Sequence, residues 1–406
     1  MYARIPMIPF LRPLALAATL LTAPALCHAQ FLDQFDQPKI DGWFTMTGDG
    51  SATAEFVPAN GYATLRIDAT RDPYGVWWAL IKRDIAPAID VAKLAEPAYE
   101  LRVEARVRSS HAPRRVNFML NTQRTTDFHE HLREYDLPDT GWHTISMTTR
   151  NFDARPGDNV YVQLCATDFG PEKYEIEVDY YRADVVRPDQ AGPDLGEPLV
   201  YHPPVPDLAA LAHHLPVTHD SQIHADFPDV NFNDWHATTA AAPARILTLD
   251  PHQTPILRWD FSQFANRTAT GEGVLELTTF CAPQGGKYIE HWGQEFGEEF
   301  DKVHVVEILG GDPAWDQETV TYNSLLRGGD PVQVFNTQMI QDVDIAPAPG
   351  GKTYVVLPRP VLQRLLDGTT RGIALRPLGA INASFYASEN APAGAAPTLH
   401  FTTTAQ

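Results

Sequence analysis

The sequence has few cysteines, an excess of acidic over basic residues, and no long apolar run beyond its N-terminal segment. It holds 3 cysteines, and 31 lysines and arginines against 51 acidic residues give a formal net charge of −20. Such a surface repels phosphate backbones and makes nucleic acid a poor partner, although a local basic patch can still meet an anionic glycan. Cys27 falls in the N-terminal segment, whereas Cys165 and Cys281 fall in different halves of the chain. We therefore expect no disulfide framework and two buried free thiols.

The N-terminal segment has the pattern of a secretory signal. Arg4 and Arg12 flank its start, Leu14 to Leu26 forms an apolar run, and Cys27-His28-Ala29 puts small residues at the positions that a signal peptidase reads. The run is shorter than the roughly 20 residues that a membrane-spanning helix needs. The pattern predicts a signal peptide over residues 1–29 and a secreted protein, extracellular or periplasmic, without membrane insertion.

Short segments in which apolar and polar residues alternate predict β-strands. Residues 101–107 place Leu, Val, Ala and Val at every second position, and 34 prolines and 26 glycines separate such segments with turns. Helical periodicity occurs over Pro358 to Asp367, which Gly368 closes. The strand spacing predicts an all-β fold of two β-sandwich domains of the jelly-roll type.

A proline-rich stretch over residues 187–206 divides the chain. It reads RPDQAGPDLGEPLVYHPPVP and lacks apolar alternation, which is typical of a stiff, exposed linker. We therefore expect a jelly-roll, glycan-binding-like domain over residues 30–186 and a second β-sandwich over residues 207–404.

Four sets of short motifs follow one another in the second half. They are His219-Asp220 with Asp229-Val230-Asn231-Phe232, Ile256-Leu257-Arg258-Trp259-Asp260-Phe261-Ser262, Trp315 with Glu318-Thr319-Val320-Thr321-Tyr322-Asn323, and Phe385-Tyr386-Ala387-Ser388-Glu389 with Pro397-Thr398-Leu399. In this order they resemble the DNRLRE-type domains, a sandwich family that includes carbohydrate-binding modules attached to bacterial polysaccharide-degrading enzymes. The resemblance implies a β-sandwich and a glycan partner, with a separate polysaccharide-degrading enzyme as a further candidate partner.

The same resemblance does not assign ligand residues. We expect most of the motif residues to be architectural, with Arg258 and Asp260 forming a structural pair. An acidic, aromatic insertion over residues 285–301 departs from the family pattern. This insertion is either a binding loop or a solvent-exposed loop without a role in binding.

The first half resembles jelly-roll carbohydrate-binding modules and jelly-roll polysaccharide lyases in its fold pattern. Phe35-Asp36 with Gly42-Trp43, and Val178-Asp179-Tyr180-Tyr181, look like the first and last strands of such modules. In such modules these strands often share a calcium ion, a hard cation that carboxylate oxygens bind. The resemblance makes Asp33, Asp36 and Asp179 the candidate ligands of a structural Ca²⁺.

Polar side chains along two predicted strands suggest a ligand-binding face. Amides bind sugar hydroxyls in fixed directions, and arginine binds a uronate carboxylate through two hydrogen bonds. Trp77 and Trp78 must face opposite ways, so one belongs to the core and the other is a candidate stacking platform for a pyranose ring. The candidate ligand-binding residues are Trp77, Trp78, Arg115, Asn117, Asn121, Gln123, Tyr161 and Gln163.

No phosphate-binding loop or nucleophile motif is recognisable in the sequence. These patterns favour a secreted polysaccharide-binding protein that acts in extracellular glycan recognition or degradation, and they leave two alternatives open. The first is a polysaccharide lyase that cleaves a uronate-containing glycan by β-elimination, which needs a carboxylate neutraliser and a base. Its candidate catalytic residues are His129, His131, Tyr161, Asn121 and Arg115. The second is a protein-binding adhesion or structural module, which predicts an exposed apolar patch instead of a polar groove.

Overall fold

The structure, a computed structural model, describes residues 30–72, 75–167, 169–200, 203–233, 245–282, 302–378, 381–389 and 391–405. The predicted signal peptide and the insertion over residues 285–301 lie outside the described residues. Within the described ranges, no helix is long and apolar enough to cross a membrane. The described chain consists mainly of antiparallel β-strands in several sheets, which confirms the all-β fold class.

The first half forms a sandwich of two antiparallel sheets and one short helix, α1 (Val91–Leu94). Its strands are β1 (Phe31–Asp33), β2 (Trp43–Gly48), β3 (Thr53–Pro58), β4 (Ala63–Asp68), β5 (Trp78–Asp84), β6 (Glu100–Ser109), β7 (Arg114–Thr122), β8 (Leu132–Leu137), β9 (His143–Thr148), β10 (Val160–Thr167), β11 (Lys173–Val186) and β12 (Pro198–Leu199). Sheet A has the order β3-β4-β11-β6-β9, with β1 on β11. Sheet B has the order β12-β8-β7-β10-β5-β2.

The core of this first domain lies between sheets A and B. Val103 and Val107 of β6 are fully buried in one cluster with Phe118 of β7 and Val162 of β10. Their neighbours in sequence point outward, as the alternating pattern predicts. Burial of each such side chain stabilises the fold by about 1.5–3 kcal/mol. The outer face of sheet B is consequently free to meet other parts of the molecule.

The proline-rich segment, predicted to be a stiff, exposed linker, is mostly exposed but also pairs with the first domain. Its residues Pro198 and Leu199 form β12, which extends sheet B beside β8. Upstream, Asp194 accepts hydrogen bonds from Arg102 of β6 (Nη1–Oδ1, 3.0 Å) and from Arg133 of β8. Two arginines from different sheets and one short strand pair hold the segment in place. Neither kind of contact produces an alternation of apolar residues, so the sequence does not reveal it.

The second half forms another antiparallel sandwich with three short helices: α2 (Tyr322–Leu326), α3 (Pro331–Val334) and α4 (Arg359–Asp367). Its strands are β13 (His213–Pro216), β14 (His219–His224), β15 (Ile246–Leu249), β16 (Gln253–Arg258), β17 (Arg267–Ala269), β18 (Gly273–Cys281), β19 (Lys302–Ile308), β20 (Phe335–Asp344), β21 (Lys352–Leu357), β22 (Ile373–Leu378), β23 (Ala383–Tyr386), β24 (Thr398–Phe401) and β25 (Thr403–Ala405). Sheet C has the order β13-β24-β18-β23-β15, with β21 on β18, and sheet D the order β14-β16-β22-β19-β20. A separate pair joins β17 and β25.

The helix predicted from Pro358 forms as α4 and begins one residue later. Its apolar stripe, including Leu362 and Leu365, is buried in the core of the second domain. It ends where Gly368 takes a φ of 80°, a left-handed conformation that favours glycine. Helices α2 and α3 have 5 and 4 residues, too few to show a helical period in the sequence.

Motif residues of the second half meet in one hydrogen-bonded cluster. Asp220 accepts from the backbone N–H of Ser388 (2.7 Å) and from its hydroxyl (2.8 Å). The Asn231 amide donates to the carbonyls of Gln317 (2.9 Å) and Val320 (2.7 Å). These bonds join segments far apart in sequence, so their role is architectural, as expected.

Two other expectations for this half need correction. Arg258 does not form a direct pair with Asp260: its guanidinium lies 5.3 Å from the ring centroid of Trp315, and Asp260 accepts from the backbone N–H of Ser262. Of the two cysteines in the described chain, Cys165 is buried, as expected, whereas Cys281 is exposed. Cys281 ends β18 beside an irregularity in the pairing of that strand with β23.

Arg364 connects the two domains in a buried ionic cluster. From α4 it donates to Glu307 of β19 (Nε–Oε1, 2.8 Å) and to Asp136 of β8 in the first domain (Nη1–Oδ2, 2.7 Å). Arg364, Asp136 and Glu307 are only 8%, 7% and 2% exposed. Burial raises the pKa of the Asp136 carboxyl, and the Arg364 charge opposes that rise. Each charge in this cluster therefore depends on the others for compensation.

A second set of contacts brings β20 against the start of β7 and the outer face of sheet B. Arg114 of β7 donates to the Thr337 hydroxyl (2.9 Å) and to the Asn336 side chain. Arg115, the next residue, donates to the backbone carbonyls of Met339 and Ile340. The two domains thus meet along β20, and sheet B has a partner on its outer face.

Replacing Arg364 with Met should lower the free energy of unfolding by about 3–5 kcal/mol, because it leaves two buried carboxylates without a cation. We expect this loss in urea unfolding followed by tryptophan fluorescence. The control is Arg359→Met on the same helix, which removes an exposed pair with Glu197 and should cost at most about 1 kcal/mol. Equal urea midpoints for the two variants would contradict the role of the buried cluster.

Candidate functional site

A cleft of about 720 Å³ lies between the outer face of sheet B and the second domain. Side chains of β2, β5, β10, β7 and β8 form its floor, and β20 and β21 contribute the opposite wall. Leu199, Val200 and Pro203 of the linker segment close one side. We call this space the interdomain cleft. Its volume lies within the range of about 300–1,000 Å³ that is typical of ligand-binding pockets.

The floor of the cleft mixes apolar and polar side chains in rows that cross the strands. One row consists of Met46, Leu80, Cys165, Asn117 and Glu134, and the next of Phe44, Lys82, Gln163, Met119 and Leu132. Residues two apart on a strand share a face, so both rows lie on the outer face of sheet B. The floor is therefore amphipathic, with methionine and leucine side chains beside amides and charges.

Trp78 contributes an aromatic side chain to the floor of the cleft. It is half-buried and lines the cleft, whereas its neighbour Trp77 is 1% exposed and belongs to the core. Trp78 pairs with Gly48 of β2, and a Cβ at Gly48 would lie 2.3 Å from Cζ2 of the indole. The indole thus occupies the space that a side chain at Gly48 would fill, and this glycine determines where the aromatic surface lies.

Two amides add directional hydrogen-bonding groups to the floor. Gln163 is buried and donates through Nε2 to the Asn121 side chain, which in turn donates to the Thr122 carbonyl (2.8 Å). Asn117 is also buried, and its Oδ1 has no hydrogen-bond partner among the described residues. A buried acceptor without a donor costs free energy, which a donor from a ligand or water can recover.

The structure divides the predicted ligand residues into two groups. The residues that line the cleft are Trp77, Trp78, Arg115, Asn117 and Gln163, and those outside its lining are Asn121, Gln123 and Tyr161. Gln123 donates to Asp158 (2.8 Å), and the Tyr161 ring lies beneath the Lys82 ammonium. The sequence predicted that Arg115 binds a ligand, with arginine suited to a uronate carboxylate. In the structure its guanidinium instead contacts Glu134 (3.3 Å) and donates to two β20 carbonyls.

The proposed lyase residues do not converge. Of His129, His131, Tyr161, Asn121 and Arg115, only His129 and Arg115 line the cleft. The two histidines lie in a turn before β8 rather than on a strand: His129 is exposed, whereas His131 is buried against Phe152. Burial lowers the pKa of His131, since the charged imidazolium is less well solvated there. The two histidines therefore lie in different surroundings and do not form one catalytic group.

The candidate calcium ligands are engaged in other contacts. Asp33 accepts from Arg83 (2.9 Å) and from the Trp43 indole N–H (2.9 Å), and Asp179 accepts from Arg106 (2.7 Å). Asp36 is exposed. Across the described ranges, no group of three or more His, Cys, Asp or Glu side chains is placed to hold a metal ion. Calcium binding at Asp33, Asp36 and Asp179 stays a prediction that these contacts do not support.

Sequence reasoning missed Lys82 and Gly48. Lys82 is the fourth residue after Trp78 and shares its face of β5, so the strand period alone could have placed it beside the platform. Gly48 ends β2, and nothing in the sequence indicates that it lies opposite Trp78. The wall residues of β20, such as Met339, belong to the other domain, and no local pattern predicts that approach.

No protein-family model matches the sequence, and no curated protein matches it. A carbohydrate-binding module of the β-sandwich superfamily is 13% identical and covers 39% of this chain and 61% of its own, at a TM-score of 0.26. The xylan-binding CBM22-2 domain of Paenibacillus barcinonensis Xyn10C is 12% identical over 38% of this chain and 99% of its own, at 0.26. The CBM22-1–CBM22-2 tandem of that enzyme is 8% identical over 93% of this chain and 98% of its own, at 0.27.

With TM-scores this low, the similarities carry no inference about this chain. The chain spans 61% of the first of these proteins. The resemblance of the second half to DNRLRE-type domains stays a prediction, since no family model matches.

Replacing Gly48 with Ala should displace the Trp78 indole, because the new Cβ would overlap Cζ2. We expect a cost of about 1–3 kcal/mol in the free energy of unfolding, as for other overpacked sites. The indole N–H resonance of Trp78, assigned by its loss in Trp78→Phe, should shift in Gly48→Ala. It should hold its position in Gly271→Ala, where a Cβ meets nothing within 4 Å. An unchanged resonance in Gly48→Ala would show that the indole does not depend on this glycine.

Proposed function

We propose that this chain is a secreted polysaccharide-binding protein whose site is the interdomain cleft. The observation that carries the proposal is the combination, in one cleft, of the half-buried Trp78 indole with the amides of Asn117 and Gln163. The predicted signal peptide over residues 1–29 supports an extracellular glycan as the partner.

A sugar ring presents an apolar face and a rim of hydroxyl groups, and the floor of the cleft matches both. An aromatic ring can stack on the apolar face, and the nearby Met46 and Leu80 extend that apolar surface. The hydroxyl rim needs donors and acceptors with fixed directions, which amide side chains supply. The unpaired Oδ1 of Asn117 is an acceptor that a sugar hydroxyl can satisfy.

The second domain limits how a glycan can lie on sheet B. Strand β20 covers part of the outer face, where Arg115 donates to its backbone carbonyls, so the ligand enters between two walls instead of lying on an open sheet. We therefore infer that the cleft holds a short stretch or an end of a glycan chain. The pre-formed strands on both sides limit the entropy lost on binding.

A protein partner is a second candidate, which one observation favours. Phe44, Met46 and Phe128 are 45%, 41% and 44% exposed, and Met46 and Phe128 line the cleft itself. Such exposed apolar side chains are typical of protein-binding surfaces when they form a contiguous patch. Phe44 and Met46 lie on β2, an edge strand of sheet B that a partner could also reach through its backbone.

Replacing Trp78 with Ala should weaken glycan binding about tenfold or more, because it removes the stacking surface. Affinity electrophoresis through gels that contain soluble polysaccharides, followed by calorimetry on the glycans that retard the protein, measures this loss. The matched control is Trp142→Ala, a half-buried tryptophan that packs on Tyr62 and two arginines elsewhere in the first domain.

Three outcomes are informative. Retardation that falls in Trp78→Ala and persists in Trp142→Ala supports the proposal. Absence of retardation by every glycan overturns it and favours the protein partner, which Phe44→Ser and Phe128→Ser should then disrupt. A rise in ultraviolet absorbance from an unsaturated uronate product would revive the lyase alternative, despite the separation of its candidate residues.

A further inference from the structure

The charges that line the interdomain cleft are compensated unequally. Arg115 pairs with Glu134 (3.3 Å), and Lys302 lies 3.8 Å from Asp344. The carboxylate of Asp342 accepts from His304 (2.7 Å), and His129 lies 3.5 Å from Asp127. Most charged groups of the cleft therefore have an opposite charge or a donor within the protein.

Lys82 differs from these groups. Among the described residues its ammonium forms no ion pair with a carboxylate, although the sequence contains 51 acidic residues. Instead the ammonium lies 4.3 Å from the centroid of the Tyr161 ring. Burial lowers the pKa of Lys82, since part of the hydration of the charged form is lost. The Tyr161 ring compensates the charge of this half-buried cation only in part, so an anion beside it would be stabilised.

The position of Lys82 places this cation on the floor of the cleft. It lies on β5 between Phe44 of β2 and Gln163 of β10, and it shares its face with Trp78. Four residues of strand separate Trp78 and Lys82 by about 13 Å. A ligand that contacts both must be longer than one sugar ring. Asp49, an exposed anion that lines the cleft, follows Gly48 and so lies at the Trp78 end, away from Lys82.

We propose that Lys82 binds an acidic group of the ligand, so that the cleft selects an oligosaccharide bearing a uronate carboxylate or an equivalent anion. This inference rests on the proposed function and adds the charge of the substrate. One sugar packs on Trp78, and an acidic sugar further along β5 places its anion against the ammonium. The anion supplies the missing counter-charge in a site that is partly shielded from water, where a charge-assisted hydrogen bond is strong.

Oligouronates and their methyl esters test this inference, because esterification removes the charge and keeps the sugar chain. We expect the protein to bind oligogalacturonate, or alginate or hyaluronan oligosaccharides, about tenfold more tightly than the esterified forms by calorimetry. Lys82→Gln should abolish this preference, and Lys82→Arg should retain most of it. The control Lys173→Gln makes the same change in net charge at an exposed lysine of β11 and should keep the preference.

The possible results separate the inference from the proposed function. Equal binding of acids and esters by the unaltered protein, with loss of both in Trp78→Ala, overturns the role of Lys82 and leaves glycan binding intact. A preference for acids that survives in Lys82→Gln also overturns it. Tighter binding of dextran sulfate than of dextran, lost in Lys82→Gln, identifies the anion as a sulfate instead of a carboxylate. If no glycan binds, acidic or neutral, both proposals are wrong.

Discussion

The interaction on which the candidate site depends is the buried contact of Arg364 with Asp136 and Glu307. It joins α4 and β19 of the second domain to β8 of the first, and it buries three charges that each need the others. Together with the bonds from Arg115 to the Met339 and Ile340 carbonyls, it positions the second domain over the outer face of sheet B. In this arrangement β20 lies over that face, and the space left between them is the interdomain cleft.

The same arrangement explains the composition of the outer face of sheet B. A sheet face that met only water would be polar throughout, and one that met only another domain would be mostly apolar. This face carries both kinds of side chain because one part of it contacts the second domain and another part lines the interdomain cleft. Arg115 belongs to the domain contact, whereas Trp78, Asn117 and Lys82 face the space that remains.

The sequence is sufficient for the strands and insufficient for the approach of the two domains. Alternation along residues 101–107 and the opposite orientations of Trp77 and Trp78 follow from the two-residue period of a strand, which is a local property. Two partners of Arg115 are backbone carbonyls that lie 224 and 225 positions away in the sequence. The residue type shows which groups a side chain can bind, but it does not show which distant backbone groups the fold places beside it. Sequence reasoning therefore assigned Arg115 to a ligand and overlooked Lys82, whose importance follows from the carboxylates that are not near it.

Because both domains contribute walls to the cleft, ligand binding and domain contact are thermodynamically linked. A ligand that touches both walls binds the closed arrangement and stabilises it by RT ln(1 + [L]/Kd) over any arrangement in which the walls separate. The buried ionic cluster makes the converse contribution, since it holds the walls in place before the ligand arrives and so lowers the entropy lost on binding. On this account the Arg364 cluster is distant in sequence from Trp78 and Lys82 and yet contributes to the affinity of the site that they form.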